Sequence, residues 1–192
     1  MIQETSFATY IGTLTDIEDP MALAEILQTF VKKPFRKNEF LVREGAVCTQ
    51  FCFIESGILQ HAITVDGVEK TTYLALRHSV TTSLFSFLHQ RPSRKDVKAI
   101  VDCVLWTIDL PSFQKLSSGN KLFRSFYYQL LERQICLIDD YRIDLLTMTP
   151  EERYAKLLAN EPNLLQQVPL RYLSSFLGIS DRHMSRIRGH VK

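Results

Sequence analysis

The segment from residue 170 to residue 188, LRYLSSFLGISDRHMSRIR, constrains the fold of this chain more than any other stretch. Apolar residues recur at the spacing of one helix face before Gly178 and again after it. These residues are Leu170, Leu173, Leu177, Met184 and Ile187. A glycine readily adopts the positive φ of a tight turn, and Ser180 suits the N-cap of a second helix. The segment therefore predicts two short helices joined by a turn.

The second predicted helix carries basic residues on the faces that its apolar positions leave free. Residues 170–192 hold five Lys or Arg and one Asp, a net charge of +4, whereas the whole chain carries +2, which leaves −2 for residues 1–169. A helix-turn-helix places such a helix in the major groove, where Arg can bond guanine through two hydrogen bonds. The alternative is a plain helical hairpin with solvated arginines. The residues predicted to contact DNA are Arg171, Ser180, Asp181, Arg182, His183, Ser185, Arg186 and Arg188. Lys192 adds to the positive charge.

Composition fits an ordinary globular protein of one large or two small domains. The chain has 192 residues, of which 45% are hydrophobic and 23% are charged. The N-terminus lacks the regions of a signal peptide, and no apolar run approaches the ~20 residues of a membrane helix, so we expect a cytoplasmic protein. The four cysteines make no paired metal spacing and predict buried free thiols, with no cofactor. They are Cys48, Cys52, Cys103 and Cys136.

The pattern changes from helical to β at Pro34. Residues 4–33 read as helices, with Asp19-Pro20 opening the second one. From residue 35 to residue 109, short apolar or alternating segments are separated by turn residues, which predicts antiparallel hairpins. Asp66-Gly67 is the clearest hairpin turn, because a type I′ turn needs positive φ at both central residues. A double-sheet jelly roll accommodates this many short strands.

A single long helix is predicted from Ser118 to Thr147, after a short helix that begins at Pro111. Its length of about 30 residues exceeds the usual 10 to 14, so we expect it to pack against a second copy of the chain. The stripe assigned to dimerisation comprises Phe123, Phe126, Leu130, Leu137, Tyr141 and Leu145. A neighbouring stripe contains Leu131, Ile135, Ile138 and Leu146, so one stripe can face the β region and the other a partner. A monomer with a long core helix remains the alternative.

The order of these elements resembles that of the Crp/Fnr family of transcription regulators. Residues 40–45, FLVREG, are similar to the strand and turn before the family's first hairpin, and residues 53–59, FIESGIL, to its I-x-x-G hairpin. Residues 151–158, EERYAKLL, followed by Val168-Pro169 and the helix-turn-helix, are similar to a bacterial branch of the family. Thr149 and Pro150 cap and open the helix that contains EERYAKLL.

The resemblance implies an α+β fold in three parts. Residues 1–117 form a cyclic-nucleotide-binding-like effector domain, an N-terminal antiparallel β jelly roll with flanking helices. Residues 118–147 form the long dimerisation helix, and residues 148–192 the helix-turn-helix DNA-binding domain. It also implies a homodimer that binds a pseudo-palindromic double-stranded DNA site, with a small-molecule effector that the sequence does not identify.

Two departures from the family pattern change these expectations. The family's cyclic-nucleotide cassette combines a Phe-Gly-Glu-like segment with an Arg-Ser-Ala segment about ten residues on, whereas this chain has Thr81-Thr82-Ser83 and Ser93-Arg94-Lys95. Regulation independent of cyclic AMP is therefore expected, although Arg94 or Lys95 could compensate. The sequence ends four residues after Arg188, which predicts that the β wing of many members is missing.

Two functions remain open on the residues alone. The first is a transcription regulator, and the second is a ligand-binding or protein-interaction module with a non-functional helix-turn-helix. An enzyme is not expected, because there is no Gly-rich phosphate loop, nucleophile elbow or H-E-x-x-H motif. His61 and Thr64 could line a pocket in the roll or face outward. The sequence leaves open whether apolar side chains fill that pocket.

Overall fold

The computed structural model describes residues 6–160 and 167–190, the side chains of 188–190 excepted. The expectations for Lys192, for the Arg188 side chain and for residues 161–166 lie outside this description. The described helices are α1 (Ser6–Leu14), α2 (Pro20–Thr29), α3 (Leu84–His89), α4 (Leu110–Gly119), α5 (Lys121–Thr147), α6 (Pro150–Asn160), α7 (Leu170–Leu177) and α8 (Asp181–His190). The strands are β1 (Val31–Phe35), β2 (Phe40–Val42), β3 (Gln50–Ser56), β4 (Leu59–Val65), β5 (Val68–Ala75), β6 (Ser79–Thr81), β7 (Asp96–Ala99) and β8 (Cys103–Asp109).

These eight strands form two four-stranded antiparallel sheets. One sheet has the order β1-β8-β3-β6 and the other has the order β2-β7-β4-β5. This arrangement confirms the predicted α+β fold with an N-terminal double-sheet roll. The hairpin turn at Asp66-Gly67 has φ values of +51° and +74°, as its sequence predicts.

The first strand corrects the helical prediction for residues 4–33. Helix α2 begins as expected, with the Asp19 side chain accepting a hydrogen bond from the Met21 amide. It ends at Thr29, however, and β1 pairs antiparallel with β8. The prediction was wrong here because VKKPF contains Pro34, which is typical of an edge strand and gives no alternating apolar signal.

The larger core joins the roll to α1, α2, α4 and the first half of α5. Phe7 of α1 stacks on Phe53 of β3 at 4.6 Å between ring centroids, and its ring also meets Phe126 of α5 edge-on at 6.4 Å. A second core lies between the roll and the C-terminal helices. Ile58, Leu74 and Ile100 of the roll pack there with Leu173 and Met184 of α7 and α8. The C-terminal helices therefore pack against the roll through a shared apolar core.

Gly57, between β3 and β4, offers a stability test of the roll. Its φ is +93°, and an added Cβ would lie 2.6 Å from the Asp102 carbonyl oxygen and against the Cys103 sulfur. We expect Gly57→Ala to lower the free energy of unfolding by about 3 kcal/mol or more, measured by urea denaturation. Gly67→Ala is the matched control, since Gly67 has φ +74° but nothing within 4 Å of the added Cβ. It should cost about 1 kcal/mol, for backbone strain alone. Equal losses in the two variants would contradict this account.

Candidate functional site

Helices α7 and α8 are the two short helices joined by a turn that the sequence predicts. Gly178 ends α7 with φ +73°, and the Ser180 hydroxyl accepts a hydrogen bond from the His183 amide at 3.2 Å. Ser180 therefore caps α8, as its position predicts. Met184 and Ile187 are buried on one side of α8, in the core shared with α7. The opposite side of α8 is left to solvent.

The exposed side of α8 carries Arg182, Ser185 and Arg186. Ser185 and Arg186 follow Arg182 by three and four residues, so all three side chains lie on the same side of the helix. The Ser185 hydroxyl donates to the Asp181 carbonyl oxygen at 2.9 Å, which keeps the side chain on the helix surface. We call Arg182, Ser185 and Arg186 the reading face.

Two other residues predicted to contact DNA are engaged within the chain. The Asp181 carboxylate accepts a hydrogen bond from the buried Ser174 hydroxyl of α7. The His183 ring Nε2 lies 2.6 Å from a carboxylate oxygen of Glu151 on α6. The Glu151 pKa is lowered by hydrogen bonds, from its own backbone and from His183, with a smaller contribution from the nearby Arg186 charge. Both contacts join α8 to its neighbours, so we leave Asp181 and His183 out of the reading face.

Arg171 is directed toward the roll rather than along the reading face. Its guanidinium lies 4.6 Å from the centre of the Tyr172 ring and donates to the Tyr172 hydroxyl. It lies with Tyr172 and Ser175 in a surface cleft against Gln60, Glu69 and Lys98 of the roll. Its positive charge lowers the Glu69 pKa, behind the larger effect of Lys98. Arg171 thus lies beside the roll, and its contact with DNA stays a prediction.

The long helix is buried in its first half and exposed in its second half. It begins later than predicted, because Asn120 interrupts the predicted helix and caps α5. The Asn120 side chain accepts a hydrogen bond from the Phe123 amide at 2.9 Å. Buried residues of α5 end at Leu130, and none of residues 131–147 is buried in the single chain. The second half of α5 therefore leaves several apolar side chains largely exposed, among them Ile135, Ile138 and Leu146.

The stripe assigned to dimerisation needs correction. Phe123, Phe126 and Leu130 lie inside this chain's own core, with exposed fractions of 0 to 2%. They are unavailable to a second chain, because the roll and α1 already cover them. Leu137 and Tyr141 line a cavity under the roll, and Leu145 stays exposed.

A different stripe of α5 faces outward at the spacing of a coiled coil. Its members alternate three and four residues apart, as a and d positions do. They are Tyr128, Leu131, Ile135, Ile138, Arg142 and Leu145. Tyr128 and Ile135 are each 66% exposed, and Ile138 is 59% exposed. We call this set the seam. Sequence reasoning missed Tyr128 and Arg142, although heptad spacing counted from Tyr128 would have found both.

A cavity of about 540 Å³ lies between the roll, α5 and α7. It shows that apolar side chains do not fill the roll completely. His61 lines it, whereas Thr64 lies exposed on the surface. Residues 81–83 and 93–95, which take the place of the family's cyclic-nucleotide cassette, contact each other. The buried hydroxyls of Ser83 and Ser93 lie 2.9 Å apart. The Ser93 hydroxyl also donates a hydrogen bond to the Lys95 carbonyl oxygen at 2.6 Å.

The cysteines divide into two classes. Cys48, Cys52 and Cys103 are buried free thiols, as expected, and burial raises the pKa of Cys103 to about 11. Cys136 on α5 is exposed, which corrects the prediction that all four are buried. Within the described residues, no group of His, Cys, Asp and Glu is arranged to hold a metal ion. None of the described helices has the length and apolarity needed to cross a membrane.

Comparison with known proteins agrees with this architecture. Residues 32–120 match the model of the cyclic nucleotide-binding domain. FixK2 from Bradyrhizobium japonicum superimposes with a TM-score of 0.70 at 16% identity, and the alignment covers 84% of each chain. A regulator assigned to the Crp/Fnr family from Eubacterium rectale gives a TM-score of 0.67 at 14% identity, covering 93% of this chain and 87% of the other. The chain has the fold of the Crp/Fnr regulators.

Other structures with the Crp/Fnr fold align over most of the chain. The catabolite activator protein of Thermus thermophilus gives a TM-score of 0.57 at 19% identity, covering 93% of this chain and 85% of the other. No curated protein sequence matches the chain. The likeness thus lies in the Crp/Fnr fold, and the function must be argued from this chain's own surfaces.

Proposed function

We propose that the chain is a sequence-specific DNA-binding transcription regulator of the Crp/Fnr type that acts as a homodimer. The reading face carries this proposal. Arg182 and Arg186 project from a capped helix whose other side is fixed in a core, so the arginines have a rigid support for contacts to base edges.

The homodimer is supported by the seam. Tyr128, Leu131, Ile135, Ile138 and Leu145 give five apolar positions over three heptads, and a parallel partner helix would cover them. Arg142 is the one polar member, and a polar residue at an a position favours a specific register. Such a dimer presents two reading faces related by a twofold axis, which suits a pseudo-palindromic DNA site.

Independence from cyclic AMP is supported by the Ser83 and Ser93 pair. A bound cyclic phosphate needs free backbone amides and a cation. At this position of the chain, the Ser83 and Ser93 hydroxyls instead form a hydrogen bond with each other. Arg94, the arginine next to Ser93, is exposed. We therefore propose that cyclic AMP does not change DNA binding by this chain.

The test is fluorescence anisotropy with labelled duplexes at two salt concentrations. Fragments from upstream of genes in the source genome are compared with scrambled duplexes of equal length. We expect a preference of at least a hundredfold for one native fragment and a steep loss of affinity with added salt. A folded dimer that shows no salt-dependent binding to any duplex would contradict the proposal. It would favour instead the ligand-binding or protein-interaction module.

A further inference from the structure

The cavity under the roll has an apolar body. Phe51 and Val80 line it from the roll, Leu130 and Leu137 from α5, and Phe176 from α7. Its volume of about 540 Å³ falls within the usual range of small-molecule sites, roughly 300 to 1,000 Å³. The cavity can therefore enclose an apolar group of moderate size between three parts of the molecule.

His61 gives the cavity a polar end with an unused hydrogen-bonding group. The side chain is only 2% exposed, and its Nε2 lies 2.6 Å from the Thr81 hydroxyl oxygen. Its Nδ1 is buried and has no hydrogen-bond partner among the described residues. Burial, with the nearby Lys95 charge, lowers the His61 pKa to about 3, so the ring is neutral at neutral pH. When Nε2 accepts the Thr81 proton, Nδ1 carries the hydrogen and is a donor left unsatisfied.

Lys95 places a cation at the same end. It lines the cavity, and burial lowers its pKa, with Cys48 opposing this effect. No carboxylate in the described part of the chain forms an ion pair with the Lys95 ammonium. The cavity thus has a half-buried cation and an unsatisfied N–H donor at one end of an apolar wall. A carboxylate suits both, because it is an anion and has two oxygens that accept hydrogen bonds.

We propose that this cavity binds an apolar monocarboxylate, such as a medium-chain fatty acid. Its carboxylate accepts a hydrogen bond from the Lys95 ammonium and, when the His61 ring rotates to bring its buried Nδ1–H group to the cavity wall, a second one from His61. The hydrocarbon chain runs along Leu130 and Leu137 toward Phe176. Since the Ser83 and Ser93 pair occupies the phosphate position, a cyclic nucleotide does not compete for this site.

The position of Phe176 gives the ligand a route to the DNA-binding helices. The Phe176 ring stacks on Tyr141 of α5, with centroids 5.4 Å apart and planes 15° from parallel. A hydrocarbon chain in the cavity contacts both rings and favours one placement of α7 relative to α5. This coupling, unlike binding itself, rests on the proposed DNA-binding function.

The test is isothermal titration of the full chain with decanoate below its micelle concentration, without DNA. Decanol, which has the same chain length and no charge, and cyclic AMP are the comparison ligands. We expect saturable binding of decanoate with a one-to-one stoichiometry per chain. Lys95→Met should weaken decanoate binding at least tenfold and leave decanol binding unchanged. Lys70→Met, at an exposed lysine of β5, is the matched control and should bind decanoate as the wild type does.

Three results would overturn the ligand assignment: no decanoate binding, equal binding of decanol and decanoate, or displacement of decanoate by cyclic AMP. Circular dichroism of each variant establishes that a loss of binding is not a loss of folding. His61→Phe, which removes the donor and retains the ring, should also weaken decanoate binding. Because the titration contains no DNA, its failure is distinguishable from a failure of the anisotropy assay.

Discussion

Glutamates at Ile135 and Ile138 are expected to convert a dimer into monomers that sediment at the 22.2 kDa of one chain. These side chains are 66% and 59% exposed in the single chain and lie at consecutive a and d positions of the seam. Each substitution places a charge where an apolar residue of the partner helix would pack. Four carboxylates per dimer would then lie close together in the seam, and the two Arg142 side chains can pair with at most half of them.

The monomeric variant should also lose DNA affinity. Two linked reading faces bind a pseudo-palindromic site far more tightly than one, by a factor on the order of 10² to 10⁴. We therefore expect Ile135→Glu/Ile138→Glu to bind the preferred duplex at least a hundredfold more weakly than the wild type, measured by anisotropy. Sedimentation equilibrium of the same sample shows whether the variant is monomeric.

The matched control for the seam is Cys136→Glu/Ile143→Glu. Cys136 and Ile143 are both exposed and each follows an a position by one residue, so they occupy b positions on a neighbouring face. The control introduces the same two charges into the same helix and should stay dimeric. If the control dissociates as completely as the seam variant, general charge on α5 rather than the seam decides the assembly. If neither dissociates, the chain dimerises through another surface.

Alanine at Arg182 and Arg186 is expected to abolish the preference for the native duplex. Each lost base contact costs about 1 to 3 kcal/mol on a specific site, so the double variant should bind the preferred duplex at least about thirtyfold more weakly. Binding to scrambled DNA should change much less, because it depends on the total phosphate contacts. The measurement is anisotropy at two salt concentrations, on both duplexes.

The charge-matched control for the reading face is Lys115→Ala/Lys121→Ala. Both lysines are exposed, and they lie at the start of α5 and in the helix before it. Lys121 is separated from the end of α5 by 26 residues, or about 40 Å along the helix. The control removes the same net charge but should retain the native preference. Equal losses in both double variants would show that net charge, and not the reading face, governs binding.

Sequence patterns located the elements that local interactions determine. The two short helices α7 and α8 and the turn between them could be predicted because Gly178 and Ser180 act on the backbone within a few residues. The same holds for the Asp66-Gly67 hairpin and for the Asp19 cap of α2. Strand β1 was missed since its identity depends on pairing with β8, whose residues lie 68 to 76 positions further along the chain.

The sequence by itself determined that α5 has two adjacent apolar stripes, and only the tertiary structure decided which of them the roll covers. Phe123 and Leu130 differ from Ile135 in burial, not in type, and burial depends on where the roll sits. The same reason applies to α7 and α8. The sequence placed Arg171, Asp181 and His183 among the basic and polar positions of a segment predicted to bind DNA. Their partners Glu69, Ser174 and Glu151 come close only when the helices pack on one another and on the roll. A one-dimensional pattern gives the face of each helix, but contacts between distant segments determine which face remains free.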